Sequence, residues 1–207
     1  MKTEVQLEGP RVIIRPMRRE DVDAMMQWRP FADPLYQPFD FAHQGRRQQL
    51  QWYEWRSRDR RRLLFTIEDA QRTVVGSLTL REIQGRQTAR LGITIGSDFV
   101  SQGYGTEALQ IFLDYYFDEM GFVRLVLDVA ATNLRALRTY KSLGFRTYGQ
   151  HYRSAGHPGY RTVREEPRYR HLHRFFRRQG TTYQVLFYDM VLTGEDWHRM
   201  RKSPGPP

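Results

Sequence analysis

Residues 102–108 read Gln102-Gly103-Tyr104-Gly105-Thr106-Glu107-Ala108, and residues 133–145 read Asn133-Leu134-Arg135-Ala136-Leu137-Arg138-Thr139-Tyr140-Lys141-Ser142-Leu143-Gly144-Phe145. The first stretch opens the clearest predicted helix, from about Gly103 to Met120. Leu109, Phe112, Leu113, Tyr116, Phe117 and Met120 recur at spacings of three and four, an apolar stripe facing a core, and Gly121 stops it. The strand Ala89–Ile95 feeds this helix through residues 96–102. A helix N-terminus offers unpaired backbone N–H groups and the positive end of the dipole, and glycine lets a pyrophosphate come close. No Gly-Lys-Ser/Thr is present, so this is not a Walker A loop. A dinucleotide fold would place a Gly-x-Gly turn after its first strand, whereas three antiparallel-looking strands precede this one. Taken alone, the two glycines fit a flexible helix start as well as a phosphate site, and Tyr140 fits a core tyrosine.

Outward from these stretches, Arg11–Pro16 reads as a strand, Glu20–Trp28 as a helix, Asp33–Phe41 as a loop punctuated by Pro34 and Pro38, and His43 to about Asp59 as an aromatic, basic helix. Leu63–Ile67, Val74–Ile83 and Ala89–Ile95 read as strands joined by hairpin-like turns, and Val123–Val129 as a buried strand. Asn133–Leu143 is a second amphipathic helix and Tyr183–Leu192 a final strand. Residues 149–182 are polar, Arg- and Tyr-rich and weakly periodic, and Ser203–Pro207 reads as a frayed tail. The order β-α-α-β-β-β-α-β-α-β predicts an α/β (α+β) chain with a mixed, mostly antiparallel twisted sheet flanked by helices. One domain is expected over residues 1–200, with a basic insertion at about 149–182 and a flexible tail at 201–207.

The composition suits an ordinary core: 207 residues, 40% hydrophobic and 27% charged. The absence of cysteine excludes disulfides, thiolate metal sites and cysteine nucleophiles. The N-terminus lacks an apolar signal core and no 18-residue apolar run occurs, so a soluble cytoplasmic protein without membrane contact is expected. The net charge of +10 is concentrated in two segments. Residues 46–62 carry seven arginines against Glu54 and Asp59, and 146–182 carry nine against Glu165 and Glu166. Arginine favours bidentate contacts with phosphate and carboxylate, so either segment is a candidate anionic-surface contact. The alternative is solvated charge.

A strand, Q-G-Y-G-T-E-A-L opening a long helix, a further strand and then N-x-x-A-x-x-x-Y-x-x-x-G-F together resemble the GNAT acyl-CoA N-acyltransferases. The opening Val12-Ile13-Ile14-Arg15-Pro16 followed by Glu20-Asp21 is similar to the RimJ/RimL-like branch. The resemblance covers roughly residues 10–147, returns at the last strand and leaves 149–182 unmatched. It implies acetyl-CoA as cosubstrate and no metal. It implies that the backbone around Gln102, Gly103, Tyr104, Gly105 and Thr106 holds the CoA pyrophosphate. Ile93, Thr94 and Ile95 would run beside the pantetheine arm and offer N–H groups to the thioester carbonyl, Asn133 would contact CoA, and Tyr140 would be the general acid at the sulfur. One departure is Val100, where the family motif often has Gln or Arg.

A phenol with a pKa of about 10 is protonated at neutral pH and suits donation to a thiolate whose thiol has a pKa of about 8.5. The oxyanion would need a backbone donor near Thr94. The strand Ala89–Ile95 contains no carboxylate, which leaves Glu82 and Asp98 as the nearest candidate bases, or as surface charges. At pH ~7.4 an α-amine is neutral in roughly a quarter of molecules and a lysine in roughly one per thousand, so a weak-base site suits an α-amine. His171-Leu172-His173 reads as polar loop rather than metal site, and Trp52-Tyr53-Glu54-Trp55 as helix packing. The expected function is acetyl transfer from acetyl-CoA to a primary amine by direct attack in a ternary complex. The acceptor is open between a protein N-terminus, such as that of a ribosomal protein, and a small molecule. A polyamine is disfavoured if either basic segment lines the acceptor cleft. The alternative is a non-catalytic module binding RNA or a protein partner through its arginines. A monomer and a homodimer are both open.

Overall fold

The computed structural model describes residues 5–41 and 45–202. The expectations for Met1–Glu4, for a helix start at His43 and for the Ser203–Pro207 tail lie outside the described residues. The chain forms two compact units, Met1–Arg29 with Phe41–Leu125, and Pro30–Asp40 with Val126–Pro207.

In the first unit, β1 (Leu7–Glu8), β2 (Val12–Pro16), β3 (Leu63–Asp69), β4 (Val74–Gln84) and β5 (Thr88–Ile95) lie side by side in sequence order, each antiparallel to the next. Alternation explains the pairing: Val12 and Ile14, Phe65 and Ile67, and Leu78 and Leu80 are all buried. Helices α1 (Arg19–Met25) and α2 (Arg46–Ser57) bring Met25, Trp52 and Tyr53 into a cluster with Met17, Trp28 and Leu64. Helix α3 (Tyr104–Asp114) presents the stripe read from the sequence, with Phe112 edge-on to Phe65 at 5.3 Å. A π turn (Tyr115–Glu119) extends the helix, and Gly121 ends it at φ 68°. Tyr116, fully buried, stacks on Phe122 at 4.4 Å and donates to the Arg124 carbonyl at 2.9 Å. Each such aromatic contributes about 1.5–3 kcal/mol through burial.

The V-I-I-R-P…E-D opening has a structural cause. Arg15 turns into the interior, where its guanidinium donates to both Asp21 oxygens at 2.7 Å and to Glu68 at 2.5 Å. Asp21 also accepts from the Thr66 hydroxyl and the Arg18 amide, both at 2.7 Å. Burial alone would raise the Asp21 carboxyl, but these donors outweigh it and hold the group below the usual carboxylate range.

In the second unit the strand order is β6 (Arg124–Ala130), β9 (Thr182–Thr193), β7 (Arg146–Ser154), and β8 (Phe176–Gln179) also pairs with β9. The β7–β9 register runs from Arg146↔Val191 to Ser154↔Gln184, with a shift between Thr147 and Gly149. Helices α4 (Leu134–Ser142), α5 (Pro158–Glu165) and α6 (Gly194–Lys202) complete it. The weakly periodic stretch 149–182 is largely regular: most of β7, then α5, a 3₁₀ segment (Pro167–Phe175) and β8 fall there. Val163, Tyr169, Leu172 and Phe175 from this stretch are buried together with Leu35, Ala131 and Leu186. The expected mixed, mostly antiparallel sheet with flanking helices is what the chain forms.

Candidate functional site

The glycine turn lies in the first unit. After the 3₁₀ segment Ser97–Phe99 the chain is extended at Val100, turns left-handed at Ser101 (φ 62°), and reaches Gly103 at φ 90° as the N-cap of α3. A side chain at Gly103 would be strained there, and its Cβ would come within 2.7 Å of Arg11 Nη2. The first helical bond runs from the Glu107 amide to the Gly103 carbonyl at 3.0 Å. The amides of Tyr104, Gly105 and Thr106 therefore have no intrahelical acceptor, and no side chain caps them. Such a donor set fits a pyrophosphate.

The turn is anchored from below. Glu107 accepts from the Arg11 and Val12 amides at 2.7 and 3.2 Å and from Arg11 Nε at 2.8 Å, and Arg11 Nη1 donates to the Gln102 carbonyl at 2.9 Å. Gln102 Nε2 donates to the Asp98 carbonyl at 2.8 Å. A Cβ at Gly105 would lie 3.3 Å from Ile95, so glycine there lets the helix start close against the end of β5. Gln102 through Thr106 and Ile95 are thus brought together.

The register of β5 assigns its amides. Gly96 N–H donates to the Val75 carbonyl at 3.0 Å, and Gly76 faces Ile95. Antiparallel pairs alternate, so the Thr94–Ser77 pair exchanges hydrogen bonds while the amides of Ile93 and Ile95 point away from β4. The N–H groups of Ile93 and Ile95 therefore face the other edge of the strand, and that of Thr94 is spent within the sheet.

The two carboxylates near this strand in sequence are both ion-paired. Asp98 pairs with Arg29, whose Nε donates to it at 2.6 Å and holds its carboxyl below the usual range. Glu82 pairs with Arg90 at 2.9 Å and Arg81 at 3.2 Å. Each is tied to arginine on an exposed surface, a poor arrangement for a base near neutral pH.

Asn133 and Tyr140 lie in the second unit, seven residues apart and hence on one face of α4. Asn133 caps the helix, its Oδ1 accepting from the Ala136 amide at 3.1 Å. Tyr140 is buried, edge-on to Phe145 at 5.7 Å. Burial, and then the nearby Asp128 charge, raise its phenol well above the ordinary value, so it stays protonated across the physiological range.

Sequence reading missed the groups behind Tyr140. Asp128 on β6 has a side chain only 6% exposed and is paired with Arg153 Nη1 at 2.9 Å. Arg153 Nε donates to His151 Nε2 at 3.0 Å, and His151 Nδ1 lies 2.9 Å from Asp189 Oδ2. An arginine N–H can only donate, so His151 accepts at Nε2 and carries its proton on Nδ1, toward Asp189. A carboxylate inside the apolar run Leu125–Ala130 was the available signal. His173 contacts the Val163 carbonyl at 3.1 Å, and no group of three or more metal-ligating side chains occurs among the described residues. Nor is any helix among them long and apolar enough to cross a membrane.

The acetyltransferase (GNAT) domain family matches residues 11–146, so the chain belongs to that family. Its members use acetyl-CoA as donor. An uncharacterized N-acetyltransferase, YnaD, from Bacillus subtilis is 28% identical over 76 residues, 37% of this chain and 45% of the relative. Spermidine N(1)-acetyltransferase from Vibrio cholerae is 30% identical over 82 residues, 39% of this chain and 47% of the relative. The chain spans about half the length of these curated relatives. The crystal structure of a Vibrio cholerae spermidine N-acetyltransferase in complex with CoA and spermine superposes with a TM-score of 0.68 at 20% identity. It covers 92% of this chain and 99% of that one, which shows the shared fold.

Proposed function

We propose that this chain is an acetyl-CoA-dependent N-acetyltransferase acting on a primary amine by direct attack. The observation that carries the reading is the left-handed Gly103 start of α3, with three uncapped amides, inside the segment that matches the family. In this reading the amides of Tyr104, Gly105 and Thr106 hold the pyrophosphate, with Gln102 and Gly103 shaping the turn. Ile93 and Ile95 offer the strand amides to the thioester, where a donor aimed at developing negative charge is worth most. Asn133 contacts CoA through whatever its cap leaves free, and Tyr140 protonates the departing sulfur. The donor supplies the activated acyl group, and the protein positions the two reactants. Membership of the RimJ/RimL-like branch, supported by the Arg15 and Asp21 opening, is part of the same proposal, as is a cytoplasmic site of action.

With Asp98 and Glu82 tied to arginines, an amine that is already partly neutral at pH 7 is the better acceptor. Arg135, on the same helix as Tyr140, stacks on Tyr36 with its guanidinium 4.3 Å from the ring centroid. Fixed positive charge on that helix favours an amine on a neutral or acidic body over a polyamine. A screen of released CoA over N-terminal peptides, amino acids, aminoglycosides and spermidine tests both halves. Turnover led by an N-terminal peptide or amino acid supports the reading. Turnover led by spermidine overturns the acceptor assignment, and no turnover with any amine overturns the transferase.

A further inference from the structure

We propose that a basic cleft in the first unit, at the end of the sheet away from the Gly103 turn, binds a small phosphate-bearing ligand with an apolar body, the chemistry of a nucleoside polyphosphate. The cleft has a volume of about 1100 Å³ and lies where β3 begins, β4 ends and the α3 region finishes at Met120. Arg58, Arg60, Arg62 and Arg86 line it, and Asp59 is the one carboxylate among its lining residues. Among the described residues no carboxylate pairs with Arg58, Arg60 or Arg86. Arg62 has a side chain only 12% exposed, its closest carboxylate oxygen is 3.6 Å away on Asp59, and its buried Nε makes no hydrogen bond.

Guanidinium groups gathered around one cavity with a single counter-charge repel one another, and an entering polyanion relieves that repulsion. Burial, then the nearby Arg62 and Arg81 charges, already lower the Arg56 guanidinium beside this group. The forks of arginine match phosphate oxygens bidentately. The walls between the arginines are apolar, with Leu64, Phe65, Ile83, Met120 and Phe122 among them, which suits a ring or an alkyl body more than a bare ion. Arg15 reaches the lining but is engaged by Asp21 and Glu68, so it shapes the cleft without serving as a ligand.

The cleft and the glycine turn are separate places. The turn follows the C-terminal end of β5 and the cleft adjoins the loop before its N-terminal end, which at strand rise puts them roughly 23 Å apart. The run from Tyr104 to Met120 gives a similar separation, about 24 Å. The basic segment 46–62 therefore contributes three of its arginines to a surface that the transferase reading does not use.

The test is isothermal calorimetry of ATP into the full chain held with saturating CoA, so that the Gly103 turn is occupied, with tripolyphosphate and adenosine as further arms. The variants are Arg60→Glu and Arg86→Glu, both exposed and without partners, so the fold is unaffected. The expected result is saturable ATP binding in the presence of CoA, weakened about tenfold or more by either reversal, as for loss of one charged hydrogen bond. Absence of heat, binding abolished by CoA, or binding unchanged in both variants would overturn the proposal. Tripolyphosphate binding as tightly as ATP would overturn its apolar half. A separate CoA titration shows whether the transferase reading itself fails, in which case the ATP arm is read from the two variants without CoA.

Discussion

Replacing Tyr140 by phenylalanine removes one oxygen and little else. The ring keeps its burial and its edge-on contact with Phe145 at 5.7 Å, and the hydroxyl makes no hydrogen bond among the described residues. Folding stability should therefore change by less than about 1 kcal/mol. Catalysis should change far more. A positioned general acid is worth about 10²–10⁴ in rate, or roughly 2.7–5.4 kcal/mol of barrier. In the proposed mechanism Tyr140 is the proton donor, and its raised phenol keeps it protonated at every pH used. The cost of losing it should be greatest near pH ~7 and shrink above pH ~8.5, where the leaving thiol ionises unaided. The assay is released CoA followed with a thiol-reactive dye between pH ~6 and ~9, and the cysteine-free chain adds no background to it. A kcat within about twofold of wild type across that range would remove Tyr140 from the acid role.

Gly103→Ala should raise the acetyl-CoA KM about 5- to 30-fold with a smaller effect on kcat, because a left-handed alanine costs about 1–2 kcal/mol and its Cβ displaces Arg11; an unchanged KM would argue against phosphate binding at this turn. Asp21→Asn should cost about 3–5 kcal/mol by leaving Arg15 buried against Glu68 alone, measured by urea denaturation. The same carboxyl sets an acid limb. Its folded pKa is lowered, so its stabilisation is complete above the unfolded value near ~4 and is lost as pH falls through the folded value. The wild-type stability profile should drop there more steeply than that of the variant. Asp98→Asn should leave kcat within about twofold, since the group is an exposed partner of Arg29, whereas a hundredfold fall would make it the base.

Where apolar periodicity was clean, the sequence reading located the elements. The α3 stripe, the three hairpin strands and the α4 helix stand within a few residues of their expected positions, although the expected Gly103–Met120 helix ends in a π turn. The segment 149–182 was opaque for a physical reason. Tyr169, Leu172 and Phe175 recur every three residues, the period of a 3₁₀ helix, so they match neither a 3.6-residue nor a two-residue pattern. The shift at Gly149 breaks the alternation of β7 in the same way. At the site, the glycine turn was legible because left-handed backbone demands glycine. The Asp128–Arg153–His151–Asp189 chain was not, because its members come from three strands whose pairing only the fold determines. The arginine partners of Glu82 and Asp98, the carboxylates nearest in sequence, were not legible either, because proximity along the chain says nothing about an arginine partner.

The central claim, direct acetyl transfer from acetyl-CoA to an amine, is tested by a quenched single turnover with labelled acetyl-CoA and the leading acceptor from the screen. Label should pass to the acceptor amine in step with released CoA, with none held on the protein at any time point and none released without acceptor. Label trapped on the protein, or CoA that is never released in the presence of any amine, would contradict the account.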